Sequence, residues 1–98
     1  MIEEFINDLR PAKEKVAFIY ETALEHDLTE EDIYYIIDNY LSKFEVRGDG
    51  QEKIWYVGPK KGDANMMEVL IVEFVGNLPV VIHAMPATKE VLKLVGLL

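Results

Sequence analysis

Apolar residues recur every three or four positions through the first forty residues and at alternate positions after that, so the pattern changes from helical to extended near Leu41. Ile2, Phe5, Ile6 and Leu9 fall at i, i+3, i+4 and i+7 and predict a short amphipathic helix. Pro11 suits the first turn of a second helix, where its missing N–H costs nothing. Ala12, Val16, Ile19 and Ala23 would form the buried stripe of that helix, widened by Tyr20 and Leu24, with its end near His26-Asp27. Thr29 reads as an N-cap with Asp32 three residues on, a variant capping box, and Glu30 and Glu31 suit the positive end of the dipole. Ile33, Ile36, Ile37, Tyr40 and Leu41 give the third helix its stripe.

The extended half reads as four strands. Phe44 to Val46 is the first, followed by a hairpin-type turn at Gly48-Asp49-Gly50. Lys53 to Val57 is the second, closed by the loop Gly58-Pro59-Lys60-Lys61-Gly62-Asp63. Met67 to Val75 is the third, and Val69-Leu70-Ile71-Val72, apolar on both faces, makes it central. A turn at Gly76-Asn77 leads to the fourth, Leu78 to Met85, which Pro86 stops before a last helix over Ala87 to Val95. This order predicts a single α+β domain over residues 1–98: N-terminal helices packed on a four-stranded, mainly antiparallel sheet, with a C-terminal helix.

Charge divides the chain in the same way. Residues 1–38 hold eleven acids and three bases, whereas residues 39–98 hold seven of each, so the helical part carries the whole net charge of −8. An acidic face of that kind repels nucleic acid, suits a basic partner and argues against DNA binding by this chain alone. The absence of cysteine excludes disulfides and thiol nucleophiles. The N-terminus carries acids where a secretory leader carries bases. The longest apolar run, MMEVLIVEFV, has ten residues and two glutamates, short of the ~20 needed to span a bilayer. A cytoplasmic protein that does not engage membranes is the expectation.

Few residues offer chemistry. His83 alternates with Val81 and Met85, which would put all three on one strand face. It reads as a general acid or base on a rigid strand, or as a half-buried histidine bonded to a backbone carbonyl. His26 closes a helix, where a cationic ring is favoured by the dipole, and could serve as a second acid or base. Lys60 and Lys61, in their Gly/Pro-bounded loop, could hold a phosphate with Arg47, or could simply be solvated. Glu68 and Glu73 are separated by an odd number of residues and must lie on opposite faces, and Glu68 is the better placed for a site. Neither metal nor cofactor is expected, because two distant histidines without cysteine or a tight acid cluster do not make a ligand set.

Two segments carry a family resemblance: ALEHDLTEEDI, a histidine followed by a small turn and an acidic helix start, and VVIHAMPA, a strand before the final helix. With the Gly-Pro turn and the strand opening Met-Glu-Val, they resemble the BrnT family of small bacterial toxins, within the RelE-like group of ribonuclease toxins. The resemblance covers about residues 16–95 and leaves the helix in residues 1–10 as an addition. It implies a RelE-like fold, a metal-independent endoribonuclease acting on mRNA, and a cognate antitoxin. His26 matches the histidine of the family's Lys-His-Gly turn, and His83 lies at the start of its strand-to-helix segment. Glu25 and Asp27 replace the flanking Lys and Gly, Met85 stands where an arginine is usual, and the final helix offers only Lys89 and Lys93. Those differences favour an alternative, a non-enzymatic interaction module of the same fold. Val91, Leu92, Leu94, Val95, Leu97 and Leu98 exceed what one helix face can bury, which predicts self-association or partner binding there.

Overall fold

The computed structural model describes residues 2–47, 51–74 and 78–98; the expected turns at Gly48–Gly50 and Gly76-Asn77 lie outside these residues. The capping box forms as its residue types require. Thr29 Oγ1 accepts from the Asp32 N–H at 3.1 Å and Asp32 Oδ2 accepts from the Thr29 N–H at 3.0 Å, which starts helix α3 (Glu30–Asp38). Ile33, Ile36 and Ile37 are its buried face. Helix α1 (Ile2–Asn7) buries Ile2 and Phe5, and α2 is a single turn, Ala12–Lys15.

The second helix does not continue to His26. After Lys15 the chain extends into strand β1 (Phe18–Ile19) and then a 3₁₀ turn at Glu21–Leu24. The Ala17 N–H donates to the Pro79 carbonyl at 2.8 Å and the Tyr20 N–H to that of Val81 at 2.9 Å, so pairing with a neighbouring strand replaces i→i−4 bonds. The β-branched and aromatic run VAFIY fits a sheet edge better than a helix interior. Ala12, Val16 and Ala23 are buried as the helical reading required, and Ile19 packs against the core. The burial of the stripe was legible; the backbone path was not, and Tyr20 and Leu24, expected to widen the stripe, are exposed.

The sheet therefore has five strands rather than four. They are β1, β2 (Ser42–Val46), β3 (Lys53–Gly58), β4 (Met67–Phe74) and β5 (Leu78–Pro86), ordered β1-β5-β4-β3-β2. The four later strands form the expected antiparallel meander, and β1 joins β5 in parallel. Gly58 leaves little room for a side chain: a Cβ there would lie 3.3 Å from the Tyr40 Cα and the Leu41 N, where the chain from α3 crosses the end of β3.

The two sheet faces differ. The first carries Ile54, Tyr56, Met67, Val69, Ile71, Val81 and Ala84 and is covered by α1, α2 and α3. The second is arranged in rows across the strands: Ser42–Val57–Glu68–Met85, then Phe44–Trp55–Leu70–His83, then Val46–Lys53–Val72–Val80 with Phe18 of β1. Helix α4 (Lys89–Leu94), capped by the Thr88 side chain accepting from the Val91 N–H, lies over the first row. Val91 and Val95 pack on Val57, and Ser42 Oγ donates to the Val95 carbonyl. The helix is shorter than Ala87–Val95. Leu94, Leu97 and Leu98 remain exposed, as the excess of apolar residues demanded.

Two outcomes test this architecture. Ile36→Ala removes a side chain with no exposure and should cost about 2–5 kcal/mol by chemical denaturation. Burial raises the Glu73 carboxyl above its ordinary range. A group whose pKa is raised by folding contributes stability below its unfolded pKa and loses it as pH rises through the folded value. The advantage of Glu73→Gln over the native chain, read as the difference in melting temperature, should therefore grow between pH 4 and pH 7.

Candidate active site

His83 reaches the second face through an irregularity in β5. Leu70 is opposite His83 while the next residue of β4, Ile71, is opposite Val81, so Ile82 is an extra residue in the ladder. Val81 and Ala84 both turn into the helical core with no exposure, and the intervening bulge sets His83 outward. The expectation that Val81 shares a face with His83 is corrected here: strict alternation fails across the bulge. Met85, two residues on, does share that face.

Glu68 lies diagonally from His83, opposite Met85. The His83 Nε2–H donates to Glu68 Oε2 at 3.0 Å, and the Thr88 N–H donates to Glu68 Oε1 at 2.8 Å. The carboxylate side chain is only 4% exposed, whereas the imidazole is 34% exposed. An ionised carboxylate can only accept, so Nε2 carries the proton and Nδ1 remains as the free ring nitrogen. Among the described residues Nδ1 has no protein partner. A buried carboxylate behind an accessible imidazole fixes its tautomer and orientation. The arrangement can therefore perform general base and then general acid chemistry on a group approaching from the open face.

Glu73 lies on the other face, near Glu4, Asp8 and Lys15, as the odd separation required. The remaining expected residues fall into three places. His26 and Lys60 line one depression of about 500 Å³ at the sheet end, with Met66, Met67 and Pro86 on its floor. Beside His26, Asp27 adopts φ 58°, the left-handed conformation that a glycine takes most easily. Lys61 lines a different depression, beside Lys13, Tyr34 and Asp38. Arg47 sits on the helical side: its Nη2 donates to Glu45 at 2.5 Å and its Nη1 lies 3.5 Å from Glu3. Lys43 also binds Glu45, and the two cations hold that carboxyl below its ordinary range. Glu68 and His83 are thus brought together; Arg47 and Lys61 are not brought to them. Thr88 was not singled out by sequence reasoning, although a threonine two residues after Pro86 is a readable helix start.

No family model, curated protein or solved structure matches the chain. Among the described residues no three His, Asp or Glu side chains gather as a metal site would need, and no helix is long and apolar enough to cross a membrane.

Removal of the carboxylate tests the pair. Glu68→Ala leaves the Thr88 N–H and the His83 Nε2–H without their acceptor and should cost about 1–3 kcal/mol for a buried donor. Glu68→Gln, which keeps an acceptor oxygen, should lose less. Equal stability of Glu68→Ala and the native chain in urea would contradict this account.

Proposed function

We propose that the protein is a toxin-like RNA-cleaving module, similar to the BrnT and RelE-like toxins, in which His83 is the acid/base group and Glu68 its positioning partner. The observation that carries this reading is the buried carboxylate oriented on an accessible strand imidazole. In such a reaction a base takes the ribose 2′-hydroxyl proton, the oxygen attacks the adjacent phosphate, and the conjugate acid protonates the leaving 5′-oxygen. One histidine can take both roles in turn, and neither step calls for a metal. The left-handed Asp27 after His26 agrees with the glycine-containing turn of the resembling family, and the helical acids suit a basic antitoxin. His26 and Lys60 share the cleft at the sheet end, where they would hold a flanking phosphate rather than the reacting one.

A second reading, a non-enzymatic interaction module, is favoured by the place of the cations. Arg47 is engaged by two acids and Lys61 lines a separate depression, so the phosphate-neutralising set is dispersed. Cleavage of single-stranded RNA by the purified chain decides between them. His83→Gln should lower the rate by ~10²–10⁴. Glu68→Gln should lower it less, with both variants folded by circular dichroism. Equal rates in all three proteins would retire His83 as a catalyst, and no cleavage by any would support the interaction module.

A further inference from the structure

We infer that Thr22 is a positioning residue of the candidate active site: its hydroxyl holds the bulged peptide that turns His83 onto the second sheet face. The Thr22 Oγ1–H donates to the Ile82 carbonyl at 2.9 Å. Ile82 is the extra residue of β5, with no register partner in β4, and such a residue gives up ladder bonds that another donor must replace. On the other flank of β5, strand β1 ends at Ile19, and the Tyr20 N–H donates to the Val81 carbonyl at 2.9 Å. The chain then curls into the 3₁₀ turn Glu21–Leu24, closed by the Ala23 N–H donating to the Tyr20 carbonyl at 3.0 Å and seated by Ala23, which has no exposure. That turn brings Thr22 to Ile82. Successive carbonyls of a regular strand point to opposite edges, yet those of Val81 and Ile82 are both met by the segment that β1 begins. The hydroxyl therefore binds the carbonyl that the bulge has turned out of the ladder.

The bond bears directly on the histidine. The Ile82 carbonyl belongs to the planar peptide that supplies the backbone nitrogen of His83. Fixing the tilt of that plane fixes the direction in which the His83 side chain leaves the strand. Glu68 holds the other end, accepting from Nε2–H at 3.0 Å. The ring is thus held at its root from the β1 side and at its tip from the β4 side. Threonine suits the first task, because its β-branch restricts χ1 and leaves little rotamer freedom to lose. Thr22 is exposed, so its bond competes with water, and its loss should read as a few-fold effect. Only the effect on rate rests on the acid/base reading of His83; the geometry is measurable without RNA.

Nitrogen NMR of the isotope-labelled full chain tests the assignment, with the His83 signals identified by their loss in His83→Gln. In the neutral ring the two nitrogens should be well separated, one protonated and one bare, as a single tautomer requires. Thr22→Val keeps the shape and loses the hydroxyl. It should draw the two signals together as the bond to Glu68 is made only part of the time, and Thr22→Ser should restore them. Thr29→Val, which removes the cap of α3, should lower the melting temperature at least as much and leave the ring signals in place. In RNA cleavage Thr22→Val should lower kcat about 2- to 10-fold at unchanged KM, and Thr29→Val should not. Native ring signals or a native kcat in Thr22→Val, a serine variant no closer to native than the valine one, or an equal change in Thr29→Val would overturn the assignment. A native chain that cleaves no RNA, with ring signals that still move in Thr22→Val and return in Thr22→Ser, would uphold it and remove only the catalytic role of His83.

Discussion

A carboxylate placed inside a protein must be met by donors, and the second half of this fold is organised around one such demand. Glu68 lies near the start of β4, the central strand, where a hydrophobe would be the ordinary choice. Its two oxygens accept one hydrogen bond each, from His83 of β5 and from the residue that caps α4. Through that one side chain the central strand, its neighbour β5 and the terminal helix are held in a common geometry. Apolar packing of Val91 and Val95 would accept small slides of α4 along the sheet; the directed bonds to Glu68 do not.

The same arrangement separates the protein into two environments. On one side three short helical segments and a sheet face enclose a continuous aliphatic core, with the acids turned outward. On the other side a six-residue helix covers only the end of the sheet. Trp55, Phe44 and Leu70 are left half-buried around a histidine. Aliphatic packing dominates the first environment, whereas the second combines a smaller cluster of Val57, Val91 and Val95 with the buried carboxylate of Glu68.

What could be read from the chain was what is decided locally. Thr29 and Asp32 sit three residues apart and cap one another, so α3 was legible from its own residues. The loop residues that bound β3 and the doubly apolar run of β4 were equally local. The stripe Ala12–Val16–Ile19–Ala23 identified buried positions correctly, yet a helix and a turn–strand–turn path both satisfy it. The choice between them was made by backbone groups of β5 sixty residues away. Glu68 and His83 were each recognisable as candidates. Their pairing depends on an antiparallel register across fifteen residues, which neither residue announces. The bulge at Ile82 was illegible for another reason: it contains neither glycine nor proline.

That bulge changes how a histidine at this place should be compared between sequences. With the bulge at Ile82 the side chain after it leaves the core; the same residues in strict alternation from an inward Val81 would carry the imidazole in among aliphatic side chains. A relative could therefore keep the histidine in an alignment and lack the site, or place a different residue there and keep the outward position. The bulge, more than residue identity, is what a relative must preserve along β5.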